Sequence, residues 1–261
     1  MRLLVVTAVT AEEEAVASGL PSDIRPTTRL LTCGVGPAAA AARTATALAD
    51  PHHRYDLVLS AGIGGGFAPR ADLGATVVAS ASVAADLGAQ LPPAEPAAAP
   101  GFRSVAELGF GVDRHRPPAA LAAAAAQALG AVHAPVLTVA TATGTEERAA
   151  ELRARHPDAA AEAMEGFGVA EAAALHGVPV LELRTVSNTV GRRDRAAWRI
   201  PQALAALTEA VAGLVPVLTR WREGRLPDDD APGAAPPPAG RPARPGQARP
   251  TERPAEGAPE A

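Results

Sequence analysis

Short apolar runs rich in β-branched residues alternate along this chain with alanine-rich segments of helical period. Leu3–Thr7 is the first such run and reads as a buried strand. Residues 12–20 have helical spacing with carboxylates in the first turn, where they suit the helix dipole. A second short strand is predicted over 30–33, then a helix over 38–48 built largely from alanine, the residue of highest helix propensity. Further strands are predicted over 55–60, 75–81, 136–140 and 179–186, and further helices over 118–129, Glu146–Arg155 and 168–175. A long amphipathic helix over 201–223 closes the pattern with Leu204, Leu207, Val211, Leu214 and Leu218 on its apolar side, and Pro216 within it predicts a kink. Strands that alternate with helices in this way predict one α/β domain, residues 1–223, around a mainly parallel sheet.

The pattern stops near Gly224. Pro, Ala, Gly and Arg then dominate, Asp228-Asp229-Asp230 opens the segment, and no hydrophobic period remains. Such a stretch cannot bury enough apolar surface to offset its ordering entropy, which predicts a disordered tail over 224–261. A Pro/Ala loop is predicted over 91–100. The net charge of -4 gives no electrostatic reason to expect nucleic acid or an anionic membrane as a partner. Cys33 is the sole cysteine, so an intrachain disulfide and a Cys-rich metal site are both excluded. The histidines (His52, His53, His115, His133, His156 and His176) are scattered without ligand spacing, so no metal is expected. The opening apolar run is too short for a signal peptide, and no stretch reaches the roughly 18 uninterrupted apolar residues of a spanning helix. A cytoplasmic protein is the expectation.

Polar residues able to carry chemistry gather at strand ends, where open α/β sheets bind ligands. Glu12-Glu13-Glu14 follows the first strand; the helix dipole accounts for two of these acids and leaves one that could turn inward as a base for water. The segment Ala61-Gly62-Ile63-Gly64-Gly65-Gly66-Phe67 reads as a glycine loop after the 55–60 strand, through which the backbone could approach a ligand closely. Thr141-Ala142-Thr143-Gly144-Thr145 ends the 136–140 strand, and Ser187-Asn188 follows 179–186. Between an alanine-rich helical run and a helix ending near His176-Gly177 lies Ala163-Met164-Glu165-Gly166-Phe167. A carboxylate set among apolar residues and glycine needs a partner, and a ligand hydroxyl is one. Ser187-Asn188 could equally be a turn, and Gly191-Arg192-Arg193-Asp194 a solvated loop. Gly34-Val35-Gly36-Pro37-Ala38-Ala39 matches the dinucleotide fingerprint G-x-G-x-x-A, but it follows the second strand rather than the first. A tight strand-to-helix turn explains its glycines, so no nucleotide cofactor is expected. There is no G-x-S-x-G elbow for an acyl-transfer nucleophile.

Taken together, the N-terminal strand followed by an acid, the 62–67 glycine segment, Ala163-Met164-Glu165-Gly166 and Arg184-Thr185-Val186-Ser187-Asn188 resemble the nucleoside phosphorylase/nucleosidase superfamily. The resemblance spans residues 1–220 and is strongest to two of its families, the methylthioadenosine/S-adenosylhomocysteine nucleosidases and the futalosine hydrolases. Thr7-Ala8 ahead of Glu12, Ala85-Asp86-Leu87-Gly88-Ala89 and Gly109-Phe110-Gly111 are similar to the second of these. The resemblance implies a single-domain three-layer α/β/α fold of nucleoside phosphorylase type with a mixed central sheet. It also implies a homo-oligomeric enzyme acting on a small-molecule nucleoside, with no metal or organic cofactor. By the same resemblance Met164 packs on the ribose and Glu165 accepts from its 2′- and 3′-hydroxyls. The family's water-activating glutamate falls on Glu12 in an ungapped reading from Met1, and on Glu14 if the acidic run is aligned instead. Gly64, Gly65, Thr143, Phe167 and Ser187 complete the implied substrate-binding set. Two positions depart from the family pattern: Asn188 stands where the adenine-specific nucleosidases carry aspartate, and Ile63 where a serine near the phosphate or water site is common.

The departure at Asn188 has a chemical meaning. A 6-oxopurine offers acceptors at both O6 and N7, so an amide donor suits it, whereas an ionised aspartate would repel it. The expected activity is hydrolysis of a 6-oxopurine nucleoside, with futalosine as the implied substrate, split to hypoxanthine and dehypoxanthine futalosine in menaquinone biosynthesis. Glu12 is expected to deprotonate water, Glu165 to stabilise developing positive charge on the sugar, and Asn188 to stabilise the departing base. Other readings stay open: a purine nucleoside phosphorylase, a methylthioadenosine/S-adenosylhomocysteine-type nucleosidase, or a non-catalytic nucleoside-binding module. A phosphorylase needs an anion clamp, usually of arginines. Arg184 within its strand and Arg192-Arg193 in a loop do not read as one.

Overall fold

Alternate residues of the first strand, β1 (Leu3–Thr7), face opposite sides of the sheet, and both sides are apolar because helices cover both. The computed structural model describes residues 1–92 and 101–226; most of the predicted 91–100 loop and the predicted tail beyond 226 lie outside them. Leu3 and Val5 point into a cluster with α1 (Thr10–Gly19), α3 (Ala119–Leu129) and α6 (Ile200–Arg222). Leu4 and Val6 point the other way, onto α2 (Pro37–Leu48) and α5 (Gly166–Leu175). The outcome is the three-layer α/β/α arrangement that the resemblance implied.

The central sheet is mixed. β1 pairs in parallel with β2 (Thr28–Thr32) and with β3 (Leu57–Gly66), and β3 pairs in parallel with β10 (Val180–Thr189). β10 then pairs antiparallel with β4 (Thr76–Ala84), which runs parallel to β8 (Val132–Thr138), and β8 runs parallel to β9 (Ala161–Ala163). Because β9 also pairs antiparallel with β3, these five strands close into a ring, with β1 and β2 extending from it. The carboxyl ends of β1, β2, β3 and β10 therefore open on one side of the sheet, and the site is built there. A short strand, β7 (Arg114–His115), flanks β4, and β5 (Gly88–Leu91) pairs with β6 (Gly101–Ser104) in a separate hairpin.

The 62–67 segment is not a loop: it continues β3 to Gly66. Its glycines are required by crowding, because β9 and β10 both approach this stretch. A Cβ at Gly64 would lie 2.7 Å from the Glu162 carbonyl oxygen, and one at Gly65 would lie 2.8 Å from Val190. Nor is the alanine-rich run before Met164 helical. Ala161–Ala163 is the strand β9, since backbone pairing with both β3 and β8 outweighs alanine's intrinsic preference. The helix predicted over 168–175 begins at Gly166, and β10 runs on through Ser187 and Asn188 instead of ending before them.

By length and composition α6 would be apolar enough to cross a membrane, alone among the described residues. Leu207, Val211, Leu214 and Leu218 are instead buried in the cluster containing β1, β3 and β10, and the Thr208 hydroxyl donates to the Ala15 carbonyl of α1 at 2.9 Å. The helix continues through Pro216 to Arg222.

Candidate active site

Glu12 occupies the third position of α1, from which its carboxylate reaches back over the helix start. Oε2 accepts from the backbone N–H groups of Ala8 at 2.9 Å and Val9 at 3.3 Å. Oε1 crosses to β3 and accepts from the Ile63 N–H at 2.9 Å. The bond is made by backbone and places no demand on the Ile63 side chain. Glu12 is only 3% exposed. Burial pushes its carboxyl above the ordinary range, while Arg184 and the Ile63 and Ala8 N–H groups pull it back. Its neighbours differ: Glu13 takes a hydrogen bond from the Thr32 hydroxyl, and Glu14 is exposed. Of the acidic run, the fold brings Glu12 to the strand ends and leaves Glu14 outside.

Glu165 caps the start of α5 from the opposite side of the same opening. Its Oε1 accepts from the Gly36 N–H at 3.1 Å, and its Oε2 from the Met164 N–H at 3.3 Å. Gly36 has φ of 96° and is itself the cap of α2, so glycine is needed there. The N–H that a dinucleotide fingerprint would aim at a pyrophosphate is thus donated to this chain's own carboxylate.

Sequence reasoning placed Arg184 in its strand and gave it no part in the site, yet it is the cation that lies between these acids. Arg184 is 1% exposed on β10. Its Nη1 lies 3.5 Å from Glu165 Oε2, its Nε donates to Glu182 Oε1 at 3.0 Å, and its Nη2 donates to the Ser60 hydroxyl at 3.1 Å. Gly62 lies beneath both Arg184 and Glu12: a Cβ there would sit 2.5 Å from Glu12 Oε1 and 2.8 Å from Arg184 Nη1. Glycine at 62 lets both side chains close over the β3 backbone. Glu182 and Arg184 stood in the sequence at alternate positions of an otherwise apolar strand, and that spacing puts both side chains on one face. Two charges on one face of a buried strand are a legible sign of an internal polar network.

Beyond Arg184, β10 carries Ser187 and Asn188 across a register shift against β3. Ser187 is buried; its hydroxyl lies 2.9 Å from Asn188 Oδ1 and 3.2 Å from the Gly64 carbonyl. With Oδ1 turned to Ser187, the Asn188 amide nitrogen faces outward, using one proton toward the Thr189 carbonyl at 3.2 Å. Asn188 is half-buried and its amide sits against Gly65. Thr143 is held by Glu162, which accepts from both its N–H and its hydroxyl. Its loop is tied to the segment after β10 by an Arg193 N–H to Gly144 carbonyl bond of 3.0 Å. Burial raises the Glu162 carboxyl, and the Thr143 bonds oppose that rise.

Met164 is half-buried beside Glu165, and Phe167 is buried with its N–H donated to the Thr138 hydroxyl at 2.8 Å. The Phe167 ring lies 5.2 Å from that of His115, whose Nε2 pairs with Glu171 at 2.6 Å. Phe167, Pro37, Ala38, Ala84, Leu87 and Ala140 are among the residues lining a cavity of about 430 Å³. Pro37 directly follows Gly36, whose N–H binds Glu165, and Phe167 is two residues beyond Glu165, so the cavity adjoins the Glu165 end of the opening.

The sequence profile of the phosphorylase superfamily matches residues 26–216. A futalosine hydrolase of Streptomyces coelicolor is 58% identical over 238 residues, covering 85% of this chain and 98% of that protein. A futalosine hydrolase of Acidothermus cellulolyticus is 43% identical over 230 residues, covering 82% of this chain and 90% of that protein. Among solved structures, a 5′-methylthioadenosine/S-adenosylhomocysteine nucleosidase from Colwellia psychrerythraea, in complex with adenine, superposes with a TM-score of 0.68. It is 22% identical and covers 84% of this chain and 96% of its own, a likeness of fold. Those sequence matches extend over nearly the whole length of the relatives, so this chain belongs to the phosphorylase superfamily and, within it, to the futalosine hydrolases.

Proposed function

We propose that the protein hydrolyses the N-glycosidic bond of futalosine, releasing hypoxanthine, and that Glu12, Glu165 and Asn188 carry the reaction. The observation that supports this most is the convergence of Glu12 Oε1 and Arg184 Nη1 over Gly62, with Glu165 beside them. Glu165 Oε1 keeps a free lone pair after its Gly36 bond, and Oε2 is held only by the long Met164 and Arg184 contacts at 3.3 and 3.5 Å, so the carboxylate can accept from the ribose 2′- and 3′-hydroxyls. As the C1′–N9 bond opens, the sugar becomes cation-like, and the fixed negative charge of Glu165 stabilises it more than the ground state. Water held between Glu12 and Arg184 gives its proton to Glu12 while its oxygen bonds to C1′. The electron pair of the broken bond leaves with the base, whose negative charge is met by the Asn188 amide, and the base then takes a proton from solvent. Met164 packs on the ribose, Ser187 fixes the amide, and Thr143, Gly64 and Gly65 form the rest of the base pocket.

The apolar cavity at Phe167 and Pro37 lies on the Glu165 side and is the place for the substituent on C5′. Leu87 in its lining is 48% exposed, and Phe110 on the segment after β6 is 81% exposed; a homo-oligomer would cover such side chains.

Incubation with futalosine in phosphate-free buffer should release free hypoxanthine and a reducing sugar. A strict requirement for phosphate would overturn the hydrolase reading. The choice of base has its own test. Asn188→Asp exchanges the outward donor for an anion, and kcat/KM on futalosine should fall by about 10²–10³-fold, the cost of losing one transition-state donor. Relative to wild type at each pH, part of the loss should return on acidification, because a protonated aspartate can donate again. Asn188→Ala should show no such recovery. Wild-type kcat/KM in Asn188→Asp at neutral pH would remove Asn188 as the purine reader.

A further inference from the structure

Glu182 is the one carboxylate of the buried network that does not face the opening. It is 1% exposed on β10, and a Cβ on Gly166 would collide with its carboxylate, so α5 seals it in. Its two oxygens are spent on Arg184 Nε at 3.0 Å and on the Ser82 hydroxyl of β4. An isolated buried carboxylate costs several kcal/mol, and an apolar residue would suit this strand position on packing grounds alone. What distinguishes Glu182 is the group it holds. Arg184 offers its Nε edge to Glu182, its Nη1 to Glu165 and the Glu12 side of Gly62, and its Nη2 to Ser60.

We infer that Glu182 is a positioning residue for the hydrolysis: by engaging the Nε edge of Arg184 it aims Nη1 at the site and restrains how strongly that charge acts on Glu12. The inference rests on Glu12 being the base proposed above. A guanidinium shared among three carboxylates stabilises any one of them less than it would alone. The charged and titratable groups that face Glu12 are Arg184, Glu165 and, more weakly, Cys33; those that face Glu182 are Arg184 and Glu165. Removing the Glu182 charge would leave Arg184 to Glu165 and Glu12 and would also remove a negative neighbour. Both changes favour ionised Glu12, making it a weaker base that stays ionised to lower pH.

Glu182→Gln keeps the shape: the amide oxygen can accept from Arg184 Nε, and the amide NH₂ can donate to Ser82. A purely structural role would therefore be preserved while the charge is lost. The direct measurement is the titration of ¹³C-carboxyl-labelled glutamates by NMR in the full chain, with the Glu12 resonance assigned by its absence in Glu12→Gln. In Glu182→Gln the Glu12 midpoint should fall by roughly one pH unit, and the acid limb of kcat/KM on futalosine should move with it. Ser82→Ala, which makes Glu182 harder to ionise, should move both the same way by less, and it carries the test if Glu182→Gln does not fold. An unmoved Glu12 midpoint in the folded variants overturns the inference. A midpoint that falls while the kinetic limb stays fixed upholds the coupling and overturns Glu12 as the base.

Discussion

Glu12→Gln is expected to lower kcat on futalosine by about 10²–10⁴-fold while KM stays near its wild-type value. The amide keeps the size of the carboxylate and can accept on one side, from Ile63 or from Ala8 and Val9, while the ribose and base contacts lie on Glu165 and Asn188, which the substitution leaves in place. What is lost is the group that takes the proton from water. Burial raises the Glu12 carboxyl above the ordinary carboxylate range, the direction that makes it a stronger base. The pH profile carries the same information: because the carboxyl must be ionised to act, kcat/KM should fall as pH drops through its raised value, and Glu12→Gln should lose that limb. Glu14→Gln is the control, since Glu14 is exposed on α1. If steady-state kinetics found Glu14→Gln inactive and Glu12→Gln near normal, the base would be misassigned.

Arg184→Met is expected to cost about 3–5 kcal/mol of stability, the usual consequence of removing one partner from a buried ionic network. Glu12, Glu165 and Glu182 would remain in contact with the space vacated by the guanidinium, with no cation among them. The deficit has a predicted sign with pH. Burial already raises the Glu12 and Glu182 carboxyls above the ordinary carboxylate value, so the folded state binds more protons than the unfolded one over that interval. Removing Arg184 strengthens this, because its charge holds both down. Stability of Arg184→Met relative to wild type should therefore recover as pH falls from 8 toward 5. Chemical denaturation at several pH values measures it. Equal stability at pH 8, or a deficit that widens on acidification, would contradict the account of Arg184 as the neutralising centre.

How much of this was legible in the sequence varies element by element. β1 and α4 have the predicted bounds, β1 because Leu3–Thr7 is an unbroken apolar run and α4 because Thr145 caps it by accepting from the Arg148 N–H. Glu165 could be singled out as an acid set among apolar residues and glycine, whereas Glu12 followed only from the family resemblance, with Glu14 open beside it. The glycine segment misled because glycine usually ends a strand; here it lets β3 lie between β9 and β10 at backbone distance, a tertiary constraint with no local signature. β9 was hidden in the same way, as alanines that fill a narrow space between two strands look helical in isolation. Arg184 was read in its strand and given no role as a phosphate clamp, since its burial, its pairing with Glu165 and its approach to Glu12 over Gly62 emerge only when β10 lies beside β3.

The central claim is that water, not phosphate, attacks the sugar at the Glu12–Arg184 end of the opening. It is tested most directly by turnover of futalosine in ¹⁸O-labelled water, with phosphate removed, and mass analysis of both products. The account predicts full turnover, with one ¹⁸O in the freshly released sugar product and none in the hypoxanthine. Turnover that stops without phosphate and yields a sugar 1-phosphate when phosphate is restored would contradict it.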